Sequence, residues 1–384
     1  MSRLAGIRAH ASARISLFAS LAMLGLAASA TTALAQAAKG EPVKIGVTYP
    51  LSGPQGAWGQ LLLPAIEISV AQRNEAGGIN GRPIQIVVED TKGTPDGGVS
   101  SMRKLVQVDG VPAILTIFTN VVSAQIPLAR QFQVPIISPV EAPGLVTNTQ
   151  YAFAHSPLPS RTVPIVGEVW KKQNVKRIFA FYPNTPIVKF LSPIVKGEAE
   201  KLGATYDEAL FKLGDSDFRG LITRAKDFGP DAIFIMGHGT PDEGAIMKQI
   251  RELGIQTPLY GGCACITVKS YREAAGKAAD GLIYGGFKYD RAAAAKLIDA
   301  YRARMGFDPD YASLEAYDMI NMIADSAAKN GVSGSAIREG LANLKGFKSI
   351  GGGLVDMNDN QTVISVGLYK VIDAGKPEFQ EITP

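Results

Sequence analysis

Val43-Lys44-Ile45-Gly46-Val47-Thr48 is a short β-branched run, and the segments downstream of it decide the fold. Leu61 to Ala76 carries apolar residues at helical spacing and stops at Gly77-Gly78, where glycine supplies the left-handed turn that ends helices. Ile84 to Glu89, Ala113 to Ile117 and Pro135 to Ser138 read as further strands, with helices over Val99 to Val108 and Ser123 to Phe132 in the gaps. Strands alternating with helices imply a parallel sheet covered on both faces. The pattern then repeats. Arg177 to Tyr182, Thr205 to Phe211 and Asp231 to Met236 read as strands, and Ile187 to Leu202, Phe218 to Phe228 and Pro241 to Leu253 as helices closed by Gly203, Gly229 and Gly254. Two similar α/β lobes result, each a doubly wound parallel sheet.

Upstream of this pattern, Arg3, Arg8 and Arg14 precede the uncharged apolar stretch Ile15 to Ala30, and Ala33-Leu34-Ala35 supplies a small-x-small cleavage pattern. Residues 1–35 therefore read as a secretory signal peptide cut before Gln36. The 349 residues that remain of 384 exceed what one hydrophobic core usually serves. Their 36 basic and 35 acidic residues nearly balance, which argues against a nucleic-acid or anionic-membrane surface, since either needs a basic excess on one face. The only cysteines are Cys263 and Cys265. A bridge between residues two apart in an extended chain is strained, so free thiols are expected.

Ligands of open parallel sheets sit beyond the carboxyl ends of the strands. That directs attention to Tyr49–Gly59, Phe118–Ser123, Pro139–Gly144, Pro183–Ile187, Gly237–Pro241 and Gly262–Thr267. No catalytic arrangement stands out there. Past the leader the histidines are His155 and His238, neither at a recognisable spacing from a nucleophile. A Cys-x-Cys pair with His238 matches no common zinc spacing, and Gly351-Gly352-Gly353 lacks the frame of a phosphate loop. The expectation is a binding protein with no cofactor and no metal.

Leu51-Ser52-Gly53-Pro54-Gln55-Gly56-Ala57-Trp58-Gly59 comes after the first strand and opens the first long helix, bringing an aromatic ring and backbone N–H groups to the cleft edge of the first lobe. This loop, with Asn74-Glu75-Ala76-Gly77-Gly78-Ile79-Asn80-Gly81 and Pro135-Ile136-Ile137-Ser138-Pro139, resembles the branched-chain amino-acid-binding family of periplasmic substrate-binding proteins. The likeness runs from about Val43 to about Lys370. It implies two lobes joined by three crossovers, the first lobe from 41–157 plus 285–352 and the second from 158–284 plus 353–384, with His155 packed at the first hinge. It also implies a monomer in the periplasm that closes on a small solute and delivers it to an inner-membrane ABC permease and its ATPase. An exported sensor subunit of a membrane receptor would use the same cleft.

Carried over position by position, the resemblance gives Trp58 and Ile187 as apolar walls, and Thr119, Asn120, Ser138, Ala142, His238 and Thr240 as contacts to the solute. Cys263 and Cys265 would line the second lobe's side. Glu141 stands where relatives usually have a small residue and a threonine, and it either faces solvent or enters the cleft. The acidic residue that holds the ammonium in amino-acid-binding relatives aligns near Cys263. Its loss shifts the expected solute toward a carboxylate, amide or aromatic acid and away from leucine, isoleucine or valine, because a buried ammonium without a countercharge is several kcal/mol unfavourable. Asp242 or Glu141 could replace the missing charge.

Overall fold

The computed structural model describes residues 39–384 apart from Pro54, Pro143 and Tyr289, so the signal-peptide reading of residues 1–35 lies outside the described residues. The first lobe begins with β1 (Val43–Tyr49), α1 (Gly56–Glu75), β2 (Ile84–Asp90), α2 (Pro95–Gln107), β3 (Ile114–Thr116), α3 (Thr119–Phe132), β4 (Ile136–Ser138) and β5 (Ala152–Ala154). The second repeats the alternation with α4 (Pro159–Lys172), β6 (Arg177–Pro183), α5 (Val188–Lys201), β7 (Thr205–Phe211), α6 (Arg219–Phe228), β8 (Ala232–Ile235), α7 (Pro241–Glu252), β9 (Leu259–Gly261), α8 (Lys269–Ala275) and β10 (Ile283–Phe287). A 3₁₀ turn, Ala264–Thr267, comes after β9. The remainder is α9 (Ala295–Met305), α10 (Tyr311–Asn330), α11 (Gly334–Ala342), β11 (Phe347–Lys348), β12 (Leu354–Asn358), β13 (Gln361–Val363), β14 (Val366–Asp373) and β15 (Glu378–Ile382).

Two sheets result, ordered β11-β12-β13-β5-β4-β3-β1-β2 and β15-β14-β10-β9-β8-β6-β7. In each, the five repeat strands are parallel; β14 and β15 extend the second sheet with antiparallel pairs, while in the first sheet β13 joins β5 in parallel and continues antiparallel through β12 to β11. The fold is the expected pair of doubly wound α/β lobes. Apolar runs explain why: Ile45, Val47, Leu115 and Ile137 are fully buried in the first sheet, and Ile178, Phe179, Phe181 and Ile233 in the second. Trp170 of α4 anchors the second core, edge-on to Phe234 and Tyr260 at 5.9 and 5.7 Å.

The chain passes between the sheets three times, after β5, after β10 and between β13 and β14. Two boundaries expected from the sequence shift. All of β10 belongs to the second sheet, so the second passage comes after Phe287 and not after residue 284. A side chain at Gly285 would run into the Thr162 carbonyl of α4, which is why a glycine pair sits in this strand. The third passage comes after β13 and not after residue 352, because β12 and β13 form a hairpin on the edge of the first sheet. Asp359 and Asn360 make its two-residue turn with φ of +47° and +64°, the conformation that matches strand twist in a short hairpin.

The first and third passages are tied together. Ala154 donates its N–H to the Asn360 carbonyl, Gln361 donates to the Ser156 carbonyl, and Arg161 to that of Ile364. His155 is fully buried between Thr362, 3.2 Å from Nδ1, and Asp318 of α10, 3.4 Å from Nε2. It is a packed hinge residue, as expected.

Candidate functional site

Both sheets reverse their winding beside their first strand, and the crevice this opens lies between the strand ends of the two lobes. In the first lobe, β1 feeds α1 through a turn so close that a side chain at Gly59 would strike the Pro50 carbonyl. That turn presents Trp58, 7% exposed. Phe118, between β3 and α3, adopts φ +72° and ψ 130°, a conformation that costs a non-glycine residue about 1–3 kcal/mol. The bend swings its ring against Trp58, edge-on at 6.3 Å. It also leaves α3 without a side-chain cap, so the N–H groups of its first turn remain available at the cavity wall, where Thr119 sits.

From the second lobe come Ile187, at the start of α5, and Gly237-His238, after β8. The His238 ring stands edge-on to Phe118 at 6.1 Å and shares a 2.9 Å hydrogen bond with the Thr185 hydroxyl through Nε2. Burial lowers its pKa to about 4, so the ring is neutral at physiological pH. α10 supplies Tyr311 and Ala312. Tyr311 donates its backbone N–H to Thr267 of the second lobe, and its hydroxyl lies 3.9 Å from the Cys265 sulfur. These groups enclose about 50 Å³ between the lobes, room for very few water molecules.

Carboxyls set the electrostatics. Glu141 is 8% exposed and lines this cavity. Among the described residues none hydrogen-bonds to its carboxyl, and no lysine or arginine lines the cavity. Burial pushes its pKa up to about 8, and the Glu243 charge adds to the shift. Glu243, at the start of α7, accepts the His238 and Thr240 N–H groups on Oε1. Its Oε2 is buried without a partner among the described residues, and burial raises its pKa to about 7. Glu315 of α10 accepts from the Ser156 hydroxyl on Oε1 at 2.9 Å. Burial, then Glu141, carries its pKa well above the carboxylate range.

Of the residues expected from the sequence, Trp58, Thr119, Glu141, Ile187 and His238 meet at the cavity. The others stand behind it. Asn120 donates its side-chain amide to the Gly93 carbonyl. Ser138 is buried, its hydroxyl unpartnered among the described residues, and Ala142 is buried in the turn after Glu141. Thr240 is the N-cap residue of α7. Cys263 and Cys265 correct the expectation of free thiols, for they are joined by a disulfide. The chain is not extended there: it turns into the 3₁₀ helix at Ala264 and leaves the two Cα atoms 5.2 Å apart, within bridging range. Neither thiolate is then available to a metal.

The sequence reading passed over Phe118, Glu243, Tyr311 and Ala312. Phe118 and Glu243 lay inside or beside the segments it marked. Tyr311 carried only a helix-start signal, Asp310, whose side chain accepts the Ser313 N–H.

Two α/β lobes with a small, largely apolar cavity between them define the class of bilobal substrate-binding proteins. A family model described as periplasmic binding protein matches residues 42–376, and the chain belongs to that family. Its relatives are binding proteins and not enzymes, and so is this chain. It is 25% identical to the leucine-, isoleucine-, valine-, threonine- and alanine-binding protein of Pseudomonas aeruginosa, over 82% of this chain and 84% of that one. It is similar to the branched-chain amino acid transporter substrate-binding protein LivJ of Streptococcus pneumoniae, solved with isoleucine, at 25% identity and TM-score 0.80 over 90% of this chain and 100% of that one. The fold also matches a solute-binding protein of an ABC transporter from Rhodopseudomonas palustris in complex with 3,4-dihydroxybenzoic acid, at 21% identity and TM-score 0.80 over 89% and 96% of the two chains.

Proposed function

We propose that this chain is the periplasmic receptor of an ABC uptake system, and that its cleft takes a small dipolar solute, an amino acid or an amide. The acceptor end of the solute would rest on the uncapped first turn of α3, and its donor end on Glu141. Trp58, Phe118 and Ile187 would enclose a short apolar body. Thr119 and the neutral His238 add hydrogen-bonding groups to the wall.

The observation that carries this reading is the buried, unpartnered carboxyl of Glu141. The sequence suggested that losing an acid near Cys263 turns the site away from amino acids. Glu141 offers the missing countercharge from the other lobe, which restores amino acids as candidates. An aromatic carboxylate, such as the one bound by the Rhodopseudomonas relative, would bring a negative charge to a cavity faced by Glu141 and Glu243 and lined by no lysine or arginine among the described residues. That arrangement is unfavourable.

Solute docks on the first lobe, and the second closes over it by rotation at the three passages, strengthening each polar contact as water leaves. The closed form then presents the membrane permease with a surface composed from both lobes. Thermal stabilisation tests the reading. Residues 36–384, stripped of carried solute by unfolding and refolding, are screened against amino acids, amides, and aliphatic and aromatic carboxylates. A solute at a hundred times its dissociation constant adds about 2.7 kcal/mol. A response confined to carboxylates without an amine or amide would overturn the assignment.

A further inference from the structure

We propose that Glu141 holds one exchangeable positive charge, a proton in the free protein and the ammonium of an amine-bearing solute in the loaded one, so that loading the cleft releases a proton. The inference rests on the reading above and narrows it from dipolar solutes to those with an ammonium.

Three features carry it. Glu141 is more than nine-tenths buried, lines the cavity and has no hydrogen-bond partner among the described residues. The groups packed around it from other elements add no positive charge: Glu243 on α7, the neutral His238 after β8, and Tyr311 and Glu315 on α10. Glu243 and Glu315 each keep one buried oxygen with no partner among the described residues, their other oxygens being taken by the His238 N–H and the Ser156 hydroxyl. A buried carboxylate in such a place is stable only when protonated or when paired with a cation. An arriving ammonium therefore takes the place of the carboxyl proton. The O–H bond of Glu141 breaks, its electron pair stays on the carboxylate, and the proton passes to solvent, so a simple amine leaves the charge inside the closed cleft unchanged, while an amino acid adds only its own carboxylate, which rests on the first turn of α3. An amide carries no charge to exchange and would bind the protonated form.

Calorimetry decides the matter, with alanine, propylamine and propionamide as probes for residues 36–384. Titrations at pH 6, 7 and 8 in buffers of different ionisation enthalpy count the protons released. The expected result is that alanine or propylamine binds about tenfold more tightly per pH unit as pH rises toward 8, with close to one proton released. Glu141→Gln abolishes the release, whereas Glu243→Gln retains it, which separates Glu141 from the second group titrating near neutrality. The wild-type proton count needs no variant, so misfolding of either one leaves the result readable. Propionamide binding while both amines fail would overturn the exchange and leave the proposed function standing. Amine binding with constant affinity and no proton release would also overturn it. No binding by any of the three would count against both readings.

Discussion

The ring of Phe118, from the first lobe, meets the imidazole of His238, from the second, edge-on at 6.1 Å. Trp58 backs the same phenyl ring at 6.3 Å, so three rings form a continuous wall across the cleft. Phe118 reaches this position only through its left-handed backbone, and the second lobe contributes His238 only because Glu243 and Thr185 hold its main chain and ring. The wall exists when the lobes are together.

Trp58 should therefore report on the cleft. Its indole is 7% exposed and a side chain at Gly239 of the second lobe would touch it at 3.5 Å. Trp170 is fully buried within the second lobe. Solute binding is expected to change tryptophan emission in the wild type and not in Trp58→Phe. Phe118→Ala should weaken binding by about 1 kcal/mol, roughly fivefold, through the lost aromatic contacts, measured by calorimetry with the solute that the thermal screen identifies.

The solute-free protein should be most stable in acid solution. Glu141 and Glu243, raised from 4.5 to about 8 and about 7, hold protons in the folded state that the unfolded chain has released. Stability therefore falls as pH rises from about 4.5 toward 8. His238, lowered from 6.5 to about 4, works from the other side: the unfolded chain gains a proton that the folded state refuses, so stability falls as pH drops from 6.5 toward 4. Two carboxyls outweigh one imidazole between pH 4.5 and 6.5, so urea denaturation across pH 3–9 should show a maximum at about pH 4, and Glu141→Gln should remove on the order of a few kcal/mol of the alkaline loss.

The disulfide closes a very short loop, Cys263-Ala264-Cys265. Loop entropy then gives it only about 1.5 kcal/mol of stability. Thiol titration of the native protein should find no free cysteine before reduction. Replacing both cysteines by serine should lower the unfolding free energy by about that amount, while a larger loss would mean that the 3₁₀ turn and its contact with Tyr311 also depend on the bridge.

At the hinge, Asp318 accepts from the Ser349 hydroxyl and the Ile350 N–H and faces His155 at 3.4 Å, all of them buried. Asp318→Ala removes the acceptor shared by the Ser349 hydroxyl and the Ile350 N–H and should cost about 1–3 kcal/mol, read by chemical denaturation. Asp318→Asn, which keeps an acceptor, should cost less.

Periodicity was enough to read most of the fold. The strand over Thr205–Phe211 agrees with the structure to the residue, and the helix expected at Pro241–Leu253 ends one residue sooner, at Glu252, because β-branched runs, helical spacing and glycine stops act within a few residues of themselves. The lobe boundaries were less legible. β12 and β13 carry ordinary strand and turn signals, and nothing local says which of two sheet edges they join.

The site divides in the same way. Sequence by itself determined which loops border the cleft, since ligands gather at strand ends, and it brought forward Trp58, Thr119, Glu141, Ile187 and His238. Only the tertiary structure decided that Glu141 turns inward, that Asn120 and Thr240 serve their own backbone, that a 3₁₀ turn joins Cys263 to Cys265, and that Tyr311, far along the chain from Glu141, shares its cavity. Burial and the approach of two lobes are properties of the whole packed chain, and a carboxyl's charge depends on that burial more than on any neighbour in sequence.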